Sequence, residues 1–374
     1  MKTMGTLGML VGIVAMASTA LGSVRHVNCD VPGQTITKAL KTAQSGDTIH
    51  VRGTCEETVT ITTDRVTLNG GGMAILQGPG GGQPGDMSHG LLNIVGVQGV
   101  EIRGFTVQNS TADGINGRQG AAFTVRDVRV LQSADDGVEA TETSTVRFLG
   151  TCEVRGSGED GISLTHGSSA LFSAERVTTA ENARAGIFVI GTSTAAFDTG
   201  TVHTTQNLGW GLLTLGHSGL TLGRNMPTIL AEDNTLDGIL VADTSDLRLD
   251  GGTITATRNG RAGLWFGGTA GLGNIGGTIL LENNTVGARA ETTCRIAQLI
   301  AGSMTIRSNT IGISGEDGSA ISIDQGGTIT GNGTDIVLLF GSRGTFNGDT
   351  IGTITCDKTS LLRIDNADVT CPTP

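Results

Sequence analysis

The chain has 374 residues, 60 of them glycine and only 6 proline, and 16% are charged. Its 24 basic residues stand against 35 acidic ones, and the net charge of -11 argues against a nucleic-acid partner. So few charges and prolines exclude a disordered chain, and the glycines lack the three-residue period of collagen.

Residues 1–22 carry a lone Lys2, an apolar run from Leu7 to Met16 and small residues after it, which is the pattern of a secretory signal peptide. Cleavage after Ala17, Ala20 or Gly22 fits equally well. No later apolar stretch is long enough to span a membrane. The mature protein is therefore expected to be secreted, extracellular or periplasmic, monomeric, and one domain over residues 23–374. Six cysteines come after the leader, and export permits disulfides. Cys29 with Cys55 would staple the N-terminal end, and Cys356 with Cys371 the last coil. Cys152 takes a core position and reads as a buried thiol.

Thr35 to Gly46 (TITKALKTAQSG) is the one helical pattern, with Ile36, Ala39, Leu40 and Ala43 on one face. It is expected to cap the open end of the first coil. Short Val-, Ile- and Thr-rich segments after it read as strands. The glycine-rich stretch Gln77 to His89 has no GK[ST] after it, so it reads as a loop rather than a phosphate cradle.

From Ala121 to Ala270 the chain repeats itself six times. Each unit has a glycine followed by an aliphatic residue: Gly114 (from the unit before), Gly137, Gly161, Gly186, Gly211, Gly238 and Gly263, with gaps of 23, 24, 25, 25, 27 and 25 residues. Such a period means a solenoid. Alternation within the strand after each glycine turns Val138 and Ala140, Ile162 and Leu164, and Ile187 and Val189 inward. Three strands per coil of this length predict an all-β, right-handed parallel β-helix. Asn182, Asn207, Asn234, Asn259, Asn284 and Asn309 recur in register before the marker positions and are expected to stack as bonded amides at a buried corner. Residues 356–374 read as the closing coil.

GDTIHV, ETVTITTDRVTLNG, the glycine-marked units and the asparagine column resemble the pectin-lyase-like superfamily, whose members are right-handed parallel β-helices of PbH1-type repeats. The resemblance covers nearly all of the mature chain. It implies a fold shared by polysaccharide lyases, glycosidases, epimerases, esterases, adhesins and non-catalytic surface proteins, so it does not choose an activity.

Chemistry concentrates at the corner before the marker glycines. Asp113, Asp135, Asp136, Glu159 and Asp160 occupy equivalent places on three successive coils, with Arg184 on the fourth. Rungs about 4.8 Å apart force such carboxylates to hold protons, recruit a cation or lean on an arginine. Asp113, Asp135, Asp136, Asp160 and Arg184 are thus the candidate catalytic residues, and Asp136, Glu159 and Asp160 the candidate calcium ligands. The aspartate and aspartate pair on successive coils resemble polygalacturonase sites, but Gly158-Glu159-Asp160-Gly161 stands where that family has GHG, and no RIK is present. The tyrosine of mannuronan epimerase-type sites is missing from a chain with no tyrosine. The competing reading is structural: Asp-Gly is a favoured turn dipeptide that tolerates positive φ. Trp210 and Trp265, the two indoles, are candidate sugar-stacking residues near the same corner, and Trp265 points outward by parity. His166 falls at a turn and reads as exposed and incidental.

Two functions fit these residues. The first is a non-catalytic surface or periplasmic binding or scaffold protein for a polysaccharide or cell-surface glycan. The second is a lyase or glycosidase acting on an acidic polysaccharide at the Asp113/Asp136/Asp160 corner.

Overall fold

The computed structural model describes residues 22–78, 90–274, 276–298, 302–324 and 326–371. Apart from Gly22, the predicted leader lies outside them, as does the loop predicted over 77–89 apart from Gln77 and Gly78. The described chain is a parallel β-solenoid of about 12 turns. One face is a thirteen-stranded sheet in strict chain order, from Val59–Ile61 to Ile354–Cys356. The second and third faces join in a 27-stranded sheet, because the two long strands Thr67–Gln77 and Gln98–Gln108 run through a corner without a break.

Register matches the sequence repeat. Val138 pairs with Ile115 on one side and Ile162 on the other, and Val146 with Phe123 and Ala170. Alternation then stacks like on like inside. Every residue predicted to point inward from the thirteen-stranded face is buried. On the second face Phe148, Phe172 and Phe197 stack with ring centroids 5.0 and 4.9 Å apart. Apolar burial of this kind, about 25 cal/mol per Å², is the main force holding coil to coil.

The marker glycines are needed for close approach, not for positive φ. None of Gly114, Gly137 and Gly161, nor the aspartates before them, has positive φ, which corrects the turn reading of these Asp-Gly pairs. A Cβ on Gly137 would lie 2.1 Å from Val154 Cγ1 and 2.6 Å from the Gly161 carbonyl oxygen. Left-handed backbone sits at another corner instead, at Glu142, Thr143 and His166. His166 is exposed there, as expected.

Two buried side-chain stacks seal the corners. Asn182 Nδ2 donates to Asn207 Oδ1 at 2.9 Å, and the pattern continues through Asn234, Asn259, Asn284 and Asn309 to Asn332. A serine stack missed in the sequence runs along the opposite end of the thirteen-stranded face. There the amides of Ser144, Ser168, Ser193 and Ser218 each donate to the serine hydroxyl one coil on, at 3.1–3.2 Å.

The N-terminal helix is shorter than predicted: Ile36–Leu40, not 35–46. Thr35 caps it, and the Glu57 carboxylate accepts from the Ile36 and Thr37 amides at 2.7 and 3.0 Å. Beyond Leu40 the Asp47 carboxylate captures the Gln44 amide (2.9 Å) and holds a turn, which ends the helix early. The disulfides Cys29–Cys55 and Cys356–Cys371 form as predicted, and Cys152 and Cys294 are buried thiols. The segment predicted as the closing coil lays Leu361–Ile364 parallel to Arg343–Asn347 of the coil before it and then turns back on itself. Asp365 and Asn366 both take positive φ (46° and 62°), the geometry of a tight hairpin turn, so Ala367–Val369 returns antiparallel to Leu361–Ile364. Among the described residues no helix is long and apolar enough to cross a membrane.

Candidate functional site

The corner assembles the acidic residues as the repeat predicts, but buries them. Asp113, Asp136 and Asp160 are 1%, 8% and 0% exposed, which corrects the picture of solvated turn charges. One oxygen of each has a structural task. Asp113 Oδ1 accepts the Asp136 amide (3.1 Å), Asp136 Oδ1 the Asp160 amide (2.9 Å) and Asp160 Oδ1 the Ala185 amide (2.9 Å). Asp237 repeats the motif three coils further, accepting the Ala262 amide at 2.8 Å. These carboxylates stitch the coils as the asparagines do.

Their second oxygens are used differently. Asp160 lies against the Arg184 guanidinium, whose Nε is 2.9 and 3.1 Å from its two oxygens and whose Nη2 also contacts it. Asp113 Oδ2 accepts from Asn116 Nδ2 (2.8 Å), and the same nitrogen reaches Glu139 Oε2 (2.6 Å). Asn116 thus clamps two carboxyls from adjacent coils. Asp135 and Glu159 are half-buried at the rim, Glu159 3.4 Å from Arg184.

Burial without enough countercharge raises the proton affinity of these groups. Desolvation, then the Glu139 charge, pushes Asp113 up to about 8. Desolvation and then Asp160 and Asp113 raise Asp136 well above the usual carboxylate range. Glu139 and Asp135 also rise, chiefly by desolvation. Asp160 rises by desolvation against the opposing pull of Arg184.

Ligand oxygens of Asp113, Asp135 and Asp136, and of Asp136, Glu159 and Asp160, come within 4.8 Å of one another. In the second trio Arg184 already supplies the positive charge a calcium ion would bring, so the predicted ligands Glu159 and Asp160 fit a cation poorly. The first trio has no such arginine and fits hard-cation chemistry better.

The corner borders a column not picked out from the sequence. The middle residues of the thirteen-stranded face point outward in register: Asn116, Glu139, Ser163, Phe188, Leu213, Leu240, Trp265 and Arg289. Phe188, Leu213 and Leu240 are nonetheless nearly covered, because Trp210, Ile190, Leu215 and Ala242 rise on both sides and pack on them. The outward row, carboxylic at one end and apolar over four coils, thus lies between two flanking lines of side chains as a shallow groove whose apolar part is nearly filled by its own cluster. Its signal was present as the residue between each inward pair. Trp265 faces outward as predicted, but Arg261 lies over its ring at 4.4 Å, and Trp210 donates Nε1 to Asp237 at 3.1 Å. Both indoles therefore frame the groove, with part of their binding capacity used inside the protein.

A family model for the right-handed β-helix region matches residues 86–202. The chain folds as a right-handed parallel β-helix. Among solved structures it is similar to the catalytic domain of a GH87 alpha-1,3-glucanase in complex with tetrasaccharides, at TM-score 0.52 and 14% identity over 93% of this chain and 69% of that one. It is also similar to the periplasmic alginate epimerase AlgG, at TM-score 0.47 and 11% identity, covering 91% and 82%. The Azotobacter vinelandii mannuronan C-5 epimerase AlgE6 A-module gives TM-score 0.44 and 13% identity, covering 87% and 93%. No curated protein matches the sequence. At 14% identity the likeness to the glucanase domain bears on the β-helix fold alone.

Proposed function

We propose that this protein is exported and binds an extended polysaccharide along the groove of the thirteen-stranded face. The observation that carries this reading is the outward column itself. Outward side chains that take no part in the central core are aligned coil after coil, from hydrogen-bonding Asn116, Glu139 and Ser163 to Phe188, Leu213 and Leu240, which form a small apolar cluster of their own. Sugars present both apolar faces and hydroxyl edges, and a linear chain of them matches a groove of that composition. The predicted leader and the two disulfides support a location outside the cytoplasm. Calorimetric titration with neutral and uronate oligosaccharides tests the reading. Binding that is lost in Leu213→Asp and weakened in the milder Glu139→Gln supports it; equal affinity in both folded variants, or no binding across the panel, refutes it.

A second reading, cleavage, rests on one feature: Asp113 and Glu139 are two carboxyls of raised proton affinity clamped by Asn116 at the carboxylic end of the groove. A carboxyl that keeps its proton near neutrality is equipped as a general acid. Half-buried Asp135, one coil on, is placed to take a proton from water or substrate. Asp136 and Asp160 would then serve as positioning residues, and a calcium ion, if used, would sit with Asp113, Asp135 and Asp136. Release of reducing ends or of an unsaturated product, abolished in Glu139→Gln at unchanged Tm and compared with and without calcium, is the result this reading requires. Intact oligosaccharides under all conditions leave binding as the function.

A further inference from the structure

The chain is acidic as a whole, yet one strip of its N-terminal third is basic. On the second face His26 pairs in register with His50, His50 with Asn69, Asn69 with Arg103 and Arg103 with Arg126. Their neighbours Val27, Ile49, Leu68, Ile102 and Val125 are buried, so alternation turns all five outward. At the N-terminal end the strip opens onto a cavity of about 420 Å³ lined by His26, Asn28, Gln34, His50 and Arg52 among others.

The strip holds more donors than acceptors. Asn69 Oδ1 accepts the Gly71 amide (3.1 Å), which turns its NH2 group to His50 Nδ1 at 3.3 Å. His50 Nδ1 is therefore the acceptor, and its Nε2 carries a proton to donate. Arg126 is paired with Glu101 at 2.8 Å. Arg103 is not paired: among the described residues no carboxylate lies within ion-pair reach of it, and its half-buried guanidinium leaves Nε–H without an acceptor. An arginine that is half out of water and has neither a charge partner nor a full set of acceptors is costly to the free protein. An oxyanion supplies both.

We infer that this strip and its cavity bind an anionic polysaccharide strand, a site on a different face from the groove and independent of it. The free donors of His50 and Arg103 lie two rungs, roughly 10 Å, apart on either side of Asn69, which suits carboxylates carried along a polymer rather than one free anion. Arg103 and His50 grip separate carboxylates of the strand, and Arg52 with the cavity receives its end.

The test is calorimetric titration of the full mature protein with a galacturonate hexamer, a neutral glucan hexamer and inorganic phosphate. The galacturonate hexamer is expected to bind with an affinity that falls as salt rises. Arg103→Gln weakens it by about tenfold or more, His50→Gln/Arg52→Gln weakens it further, and Arg103→Lys restores part of the loss. Arg103→Gln leaves any tryptophan response to the hexamer unchanged, since both indoles lie on the other face. The inference is overturned by any of three results in folded variants: unchanged affinity in Arg103→Gln and in the double variant, a neutral-hexamer affinity that falls as much as the galacturonate one in Arg103→Gln, or no binding of the galacturonate hexamer. Phosphate binding as tightly as the hexamer also overturns it, leaving a small-anion site.

Discussion

Asn234 shows how much one side chain does in this fold. Its Nδ2 donates to Asn259 Oδ1 (3.0 Å) and Thr204 O (3.2 Å), while its Oδ1 accepts from the Asn207 amide and side chain. Removing it strands several buried polar groups, each worth about 1–3 kcal/mol. Asn234→Ala is expected to cost about 3 kcal/mol or more in urea denaturation; a loss below about 0.5 kcal/mol would show the stack is ornamental. The corner aspartates act through protons. Asp113, at about 8 in the fold and about 3.9 unfolded, favours its protonated form in the native state. Its contribution to stability is complete below about pH 4 and is lost as pH rises through about 8. Asp136 acts in the same direction. Asp47, held low chiefly by the Gln44 amide, works oppositely and only in acid, where its contribution is lost as pH falls. Tm should therefore fall between pH 5 and pH 8.5 and fall less steeply in Asp113→Asn; parallel curves would contradict the assignment.

At the scale of the strand and corner, close approach decides what is tolerated. Gly137→Ala pushes a Cβ into Val154 and the Gly161 carbonyl, so a loss of about 1–3 kcal/mol is expected. Gly273→Ala, on the outer side of a strand with nothing within 4 Å, should be neutral or slightly stabilising. Equal effects of the two would contradict this account of the marker glycines. This element scale was the most legible in the sequence. A period near 25 residues and a two-residue alternation determine which side chains meet, so strands, inward pairs, asparagine stack and both disulfides could be read directly. The helix end and the terminal hairpin were not legible, because each is set by a local contest: Asp47 capturing the Gln44 amide, and Asp365-Asn366 adopting positive φ. The burial of Asp113, Asp136 and Asp160 was also hidden, since nothing local distinguishes a carboxylate bonded to the next coil from one in water. Glu139 and Asn116 were not legible either, because the residue between two inward ones is free of the packing constraint that makes the inward pairs repeat.

For the whole molecule, a solenoid of about 12 turns presents long parallel surfaces whose chemistry changes only gradually from coil to coil. The thirteen-stranded face runs from carboxyl to apolar, and the second face carries a basic strip near its N-terminal end. Such rows recognise linear polymers by repetition of weak contacts rather than by a deep pocket. The two tryptophans of the chain, Trp210 and Trp265, both border the groove, so their emission reports its occupancy and nothing else. The most direct measurement is therefore a fluorescence titration of the mature protein with the neutral and uronate oligosaccharides, alongside calorimetry. The account predicts that an oligosaccharide bound in the groove changes tryptophan emission in a saturable way, with Trp265→Phe retaining a smaller change from Trp210. Oligosaccharides that bind by calorimetry, with no loss in the Arg103→Gln variant and no change in tryptophan emission, would place the sugar elsewhere and contradict the central claim.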